Sequence, residues 1–388
     1  MRIAFVLAGL GAGGAERVVS LIASRWVEWG WQVSVIAFDA PQDPVFHAFA
    51  PGVEFIRLAI PSSGLGAVIG RAQQLRAALN RLSPDVTISF LTKINALTLL
   101  ATLGTGLRVI VSERNNARLQ AVNPAWKIAL ALLYRRARQI VIQTEASRAA
   151  LPAPDRLRAT TIPNPVLTPV ATIPAPADPP PIITAVGRLT HQKGFDRLID
   201  AFARIAQRHP AWRLVIWGEG PARAKLVAHA ASLGLAERIA FPGLSPTPGD
   251  WVHQSGLFVL PSRFEGFPNV LAEAMAAGLP AIAFDCDYGP AEMITHGEDG
   301  LLVPQNSVAG LSRAIDALLS APEQRRALGM AARRSITKFA MDPIIERWTN
   351  LVITPDFPDG TPPATRRAAQ GSVVGRDDRG AVRADIEA

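Results

Sequence analysis

The segment Pro261-Ser-Arg-Phe-Glu265-Gly266-Phe267-Pro268-Asn269-Val-Leu-Ala-Glu273-Ala-Met-Ala-Ala-Gly278-Leu-Pro280 sets two glutamates, with seven residues between them, on either side of a helix start. Pro268 suits the first helical turn, where a missing N–H leaves no bond unmade, and Gly278 with Pro280 ends the helix. Glu273 then lies about one turn in, beside Val270, Leu271, Ala274, Met275 and Ala277. A carboxylate against an apolar stripe needs hydrogen-bond partners, and ligand hydroxyl pairs supply them. A fully helical path parts the two carboxylates by only ~12 Å at about 1.5 Å per residue. That span suits a nucleotide sugar, ribose at one glutamate and hexose at the other. The plain alternative is a capping glutamate and a surface glutamate that fall close by chance.

Outside this segment, strands alternate with helices. In the first half the pattern predicts strands Arg2–Ala8, Gln32–Phe38, Val86–Phe90, Arg108–Val111 and Gln139–Gln143. Helices fall at Ala15–Trp29, Val68–Leu82, Asn95–Leu103 and Ala125–Arg138. Prolines 163, 165, 169, 174, 176, 179, 180 and 181 interrupt this rhythm as an extended linker. It restarts with strands Ile182–Val186, Arg213–Trp217, Ile239–Phe241, Leu257–Leu260 and Ala281–Phe284. Helices Phe195–Arg208, Ala222–Leu233, Pro290–Thr295, Ser307–Leu319 and Glu323–Lys338 complete the second half. Such alternation predicts parallel sheets covered on both faces, an α/β protein with two Rossmann-like domains. The expected domains are 1–165 and 182–340, joined by a linker at 166–181. A helix at 341–353 and a disordered tail at 354–388, with little to bury, follow.

Composition narrows the class. Hydrophobic residues make up 49% of the chain, as in a globular protein, and 388 residues suffice for two cores. Cys286 is the single cysteine, which excludes an intramolecular disulfide and fits a reducing compartment. The formal charge of +8 is carried almost wholly by arginine. It is compatible with nucleic acid, an anionic membrane or phosphorylated substrates. No run approaches 18 apolar residues, so no spanning helix is predicted. The apolar start Met1–Ala8 meets Gly9, Gly11, Gly13 and Gly14 and reads as an opening strand, not a targeting signal. The expected location is cytoplasmic.

Two loops carry phosphate chemistry. Gly187-Arg188-Leu-Thr-His-Gln-Lys193-Gly194 follows a strand and precedes a helix, where α/β sheets bind ligands and helix N-termini favour phosphate. Arg188 and Lys193 can grip a diphosphate there; the alternative is two ordinary surface cations. Gly9-x-Gly11-x-x-Gly14 satisfies the dinucleotide fingerprint, with Asp39 ending the second strand where a ribose carboxylate would belong. An NAD-dependent oxidoreductase is therefore one alternative, and a basic nucleic-acid or membrane binder a second.

The string Glu-Gly-Phe-Pro-Asn-Val-Leu-Ala-Glu-Ala-Met-Ala-Ala-Gly-Leu-Pro resembles the E-x7-E signature of retaining glycosyltransferases of family 4, in the GT-B superfamily. The resemblance spans residues 1 to about 352 and is strongest from Gly187 to Pro304. It implies two domains facing across a cleft, with the last helix crossing back to the first. It implies donor binding by Glu265, Gly266, Phe267, Pro268, Asn269 and Glu273, and catalysis by Glu265 with Arg188 and Lys193, which neutralise the leaving diphosphate. Gly11, Gly13 and Gly14 then form the glycine-rich loop that lets acceptor and donor approach the backbone, while Glu16 contacts ligand or caps its helix. Lys93, Arg114 and Asn115 become acceptor candidates. Related enzymes often carry histidine where Arg114 stands, so no histidine role transfers and no side-chain base is assigned. The departing phosphate instead helps remove the acceptor proton, as attack comes from the leaving group's own face.

Neither a cofactor nor a metal is expected: Asp285 and Asp287 are too few oxygen ligands, and the six histidines lack zinc spacing. Pro124–Arg138 is basic and amphipathic, suited to an anionic membrane surface or to covering a sheet. The implied partners are a UDP-linked hexose or N-acetylhexosamine and a saccharide acceptor on a polyprenyl diphosphate, at the inner membrane face. Ser-Glu-Arg-Asn-Asn (112–116) resembles the N-acetylgalactosaminyl- and galactosyl-transferring branch.

Overall fold

The computed structural model describes residues 1–59, 65–114, 124–166, 179–245 and 249–354. Asn115, linker residues 167–178 and the tail beyond 354 lie outside them. Met1–Trp348 forms one compact unit, and Thr349–Ala388 a second, described only for the end of its opening helix.

The first sheet has seven parallel strands in the order β3-β2-β1-β4-β5-β6-β7. They are β1 (Arg2–Leu7), β2 (Gln32–Ala37), β3 (Glu54–Arg57), β4 (Val86–Phe90), β5 (Val109–Ser112), β6 (Gln139–Ile142) and β7 (Ala159–Thr161). Its helices are α1 (Gly14–Glu28), α2 (Leu65–Leu82), α3 (Thr92–Ala101), α4 (Pro124–Tyr134), α5 (Glu145–Ala149) and α6 (Ala153–Arg156).

The second sheet has six parallel strands in the order β10-β9-β8-β11-β12-β13. They are β8 (Ile182–Val186), β9 (Arg213–Trp217), β10 (Ile239–Gly243), β11 (Leu257–Leu260), β12 (Ala281–Asp285) and β13 (Leu301–Pro304). Around it lie α7 (Phe195–Ala203), α8 (Arg223–Ser232), α9 (Asn269–Ala276), α10 (Pro290–Met293), α11 (Val308–Ser320) and α12 (Pro322–Ser335). The chain then enters α13 (Met341–Ile353).

Strands buried on both faces read as continuous apolar runs, and β1, β4 and β11 are such runs. The short β3, β7 and β13 escape sequence reading because they are only partly buried and lack a long apolar pattern. In α1 the residues Val18, Val19, Ile22 and Trp26 recur at helical spacing and are buried. Trp26 stacks on Phe5 of β1 at 5.6 Å, whereas Trp29 is exposed.

In α9 Leu271, Ala272, Ala274, Met275 and Ala276 are all buried. Fully burying a Leu or Met side chain contributes roughly 1.5–3 kcal/mol, so the core holds this helix whatever its carboxylate does. A Cβ at Gly329 on α12 would come within 2.1 Å of the Gly278 carbonyl oxygen, so the chains pass there backbone to backbone.

Each sheet reverses strand order once from its first strand, β1 between β2 and β4, and β8 between β9 and β11. Crevices at the carboxyl ends of strands flanking such a switch are where α/β sheets bind ligands. The glycine-rich loop after β1, the Arg188–Lys193 loop after β8 and the Glu265 segment after β11 all occupy these positions.

Candidate active site

The loop after β8 is stitched to the segment after β11. Arg263 donates to the His191 carbonyl at 2.7 Å and grips Asp196 with two bonds, at 2.9 and 2.6 Å. Burial raises the Asp196 carboxyl, but those Arg263 bonds and charge outweigh it and hold the acid below its ordinary value. Gln192 Nε2 donates to the Phe264 carbonyl at 3.0 Å, and Arg263 N–H to the Gln192 carbonyl at 2.8 Å. Gly194 adopts φ +66°, and a Cβ there would lie 2.0 Å from the Pro261 carbonyl oxygen, so only glycine fits.

This stitching brings Lys193 and Glu265 together. Lys193 Nζ donates to Glu265 Oε1 at 2.6 Å, and Ser262 Oγ donates to the same oxygen at 2.6 Å. Glu265 is 5% exposed, while Arg188 faces solvent. Cys286 lies nearby, its thiol pushed up to about 12 by burial and by the Glu265 charge, which leaves it protonated and unreactive at neutral pH.

Glu273, 8% exposed on α9, takes its bond from the other domain: Arg17 Nη1 of α1 donates to its Oε1. Burial raises the Glu273 carboxyl, and the Arg17 charge opposes that. Beside them, Asn164 Nδ2 donates to Asn269 Oδ1 at 2.6 Å. Asn164 Oδ1 in turn accepts from Gln143 Nε2 at 2.9 Å and from Arg114 Nη1. A Cβ on Gly14 would stand 2.6 Å from Asn269 Nδ2, and one on Gly266 2.3 Å from the Arg114 carbonyl oxygen. Gly266 therefore lets the domains meet backbone to backbone, and Gly14 makes room for the Asn269 side chain.

Glu16 curls over its own loop, near enough to Gly13 that a Cβ there would meet Oε2 at 2.0 Å. Burial raises its carboxyl against its own backbone N–H and the positive charge of Arg188. His47, which the sequence did not mark, backs the loop through Nε2 at 3.1 Å from the Gly13 carbonyl. Burial lowers its imidazole. Asp39 is engaged elsewhere: Oδ2 accepts from Leu10 N–H at 2.7 Å and pairs with Arg57 at 3.2 Å, while Oδ1 is buried. Its ion pair with Arg57 competes with the ribose contact that the NAD reading needs.

Of the acceptor candidates, Lys93 is exposed on the first turn of α3 and Gly11 is open. Arg114 turns inward. Its guanidinium lies over Phe90 at 4.6 Å and Trp348 at 5.7 Å, and burial pulls it down to about 9 against the charge of Glu113. Its contribution to the cleft is its backbone carbonyl, not its charge. Phe267 likewise packs edge-on against Phe339 at 5.4 Å in the core, and Pro268 is buried. Behind Arg114, Glu113 accepts from Tyr134 Oη, from Thr92 Oγ1 at 2.8 Å and from Asn95 Nδ2 at 3.1 Å.

Sequence reading missed Arg17, Gln143 and Asn164. Arg17 directly follows Glu16, and Asn164 lies between two prolines read as linker; neither spacing signals a partner. Among the described residues no three His, Cys, Asp or Glu side chains gather as a metal site, and no helix is long and apolar enough to cross a membrane.

The family model "Glycosyl transferases group 1" matches residues 172–335, and "Glycosyl transferase 4-like domain" matches residues 13–165. An exopolysaccharide phosphotransferase of Streptomyces coelicolor is 43% identical over 165 residues, covering 42% of this chain but only 18% of that protein. An uncharacterized glycosyltransferase of Haemophilus influenzae is 26% identical over 90% of this chain and 99% of its own length. The structure of Anabaena HepE in complex with UDP and glucose superposes with a TM-score of 0.76 at 18% identity, over 92% of this chain and 100% of that one. With both halves matched and two parallel-sheet domains joined across a closed seam, the chain belongs to the group 1 glycosyltransferases of the GT-B superfamily.

Proposed function

We propose that this protein is a retaining, metal-independent glycosyltransferase of family 4. It moves a hexose or N-acetylhexosamine from a UDP sugar to a saccharide acceptor on a polyprenyl diphosphate, in cell-surface polysaccharide or glycan assembly. The observation that carries this reading is the pairing of Lys193 with Glu265 at 2.6 Å, beside the loop that bears Arg188. It sets cations for a departing diphosphate against a buried acid for sugar hydroxyls.

In this reading Glu273 accepts from the ribose hydroxyls, and Glu265 and Asn269 orient the sugar. Breaking the anomeric C–O bond places its electron pair on the diphosphate, where Arg188 and Lys193 offset the growing charge. The acceptor oxygen bonds the anomeric carbon from that same face and passes its proton to the departing phosphate. The names of relatives lean the same way, one an exopolysaccharide enzyme and one fold neighbour holding UDP and glucose.

For a lipid-borne acceptor, α4 offers exposed Ile128 and Leu132, with Arg135 and Arg136 exposed just beyond it. Apolar residues four apart beside cations suit peripheral contact with an anionic leaflet and support a location at the cytoplasmic face.

The test is a panel of nucleotide sugars scored for release of UDP or GDP with membrane lipid extract as acceptor, and NMR of the product's anomeric centre. Turnover with retained configuration supports the reading; no release with any donor defeats it.

A further inference from the structure

We propose that Arg17 is a positioning residue for Glu273, reaching from α1 to orient the donor-helix carboxylate so that a nucleotide's ribose is gripped only when the domains are closed. This rests on the nucleotide-sugar reading of the E-x7-E segment.

The two residues stand 256 positions apart and on different domains, yet Arg17 Nη1 donates to Glu273 Oε1. Among the described residues nothing else hydrogen-bonds that carboxylate, so Oε2 remains for ligand hydroxyls. A small cavity lined by Arg17, Val18, Pro165, Val166, Asn269 and Glu273 adjoins the pair. The side chains are 20% and 11% exposed, so little water shares the work. A buried carboxylate without a counter-charge takes up a proton, and a neutral carboxyl is a poorer acceptor for hydroxyls than an ionised one.

Other charges around α9 are turned elsewhere. Glu16, next to Arg17, folds back over Gly13. From α12, Arg333 lies against Gly278, beyond the helix end. From the turn Ile336–Phe339, Lys338 lies over the Phe339 ring at 5.1 Å. β11 and β12 present Phe258, Leu260, Ala281 and Ala283, which are apolar. Arg17 is thus the cation whose field reaches Glu273.

The experiment combines two measurements on the full chain. The first is a thermal-melt double-mutant cycle at pH 7.5 with Arg17→Met, Glu273→Gln and both. The second is titration of wild type, Arg17→Met and Arg17→Lys with UDP and with GDP between pH 6 and pH 9. We expect non-additive melts, the double variant melting above Arg17→Met because no unpaired buried carboxylate remains. At the acid end of that range the Kd of Arg17→Met for the nucleotide rises above that of wild type, by at most about tenfold for each pKa unit that the loss of Arg17 adds at the carboxyl. The deficit shrinks as pH rises and the carboxyl ionises, and Arg17→Lys recovers most of it.

Additive melts, a loss equal at every pH, or tighter binding in Arg17→Met would each overturn the proposal; tighter binding would make Arg17 a competitor for the carboxylate. If wild type binds neither UDP nor GDP, the nucleotide-sugar reading falls and takes this role with it. Binding by wild type that Arg17→Met leaves unchanged sinks the Arg17 role alone.

Discussion

Lys193 Nζ and Glu265 Oε1 stand 2.6 Å apart, although they lie 72 positions apart in sequence, so the cation of one strand end holds the acid of the next. Removing Lys193 takes away both a charge for the leaving diphosphate and the partner that orients Glu265. Lys193→Ala is expected to lower kcat by about 10²–10³-fold, the usual cost of losing one group aimed at developing charge. Arg188→Ala, whose side chain faces solvent, should likewise slow transfer and leave the melting temperature nearly unchanged. Steady-state kinetics with the best donor decide both, and wild-type turnover in either variant would refute its role.

Gly266 tests the seam between the domains. A Cβ there would lie 2.3 Å from the Arg114 carbonyl oxygen and 2.8 Å from Gln143 Oε1, both on the other domain. Gly266→Ala should therefore prop the cleft open, cutting transfer at least about tenfold while each domain stays folded. Gly194→Ala meets the Pro261 carbonyl within its own domain at φ +66° and should cost about 2 kcal/mol or more of stability. Small-angle scattering and thermal melts on the two variants separate these effects. A compact, active Gly266→Ala enzyme would contradict the closed arrangement.

Glu113 provides a pH test. Burial raises its carboxyl above the ordinary 4.5, against the bonds from Tyr134, Thr92 and Asn95. An acid raised in the folded state contributes stability that is whole below its unfolded value and is lost as pH climbs through the folded one. Glu113→Gln cannot ionise, so its melting temperature should improve relative to wild type as pH rises from 4.5. The same difference at every pH would show that this carboxyl does not titrate with folding.

On α4, Ile128 is 64% exposed and Leu132 58% exposed. Replacing both with aspartate should weaken binding to vesicles containing anionic lipid by about tenfold or more, from lost apolar burial and added repulsion. UDP affinity should not change. Cosedimentation measures the first and calorimetry the second; unaltered vesicle binding would remove α4 as the docking face.

The alternation of strands and helices, the two motif loops after β8 and β11, and the helix carrying Glu273 were all legible in the chain itself. Their signals are local: apolar residues at helical or strand spacing, with proline and glycine where backbones turn or meet. Tertiary structure decided the partners. Arg17 reaches Glu273, Asn164 leaves the presumed linker to bridge Gln143 and Asn269, and Arg114 turns from the cleft to lie over Phe90 and Trp348. Each contact joins residues far apart in sequence, and its geometry depends on how two sheets bring their loops together. A periodic pattern records which face of an element is buried; only the assembled fold records what lies against it.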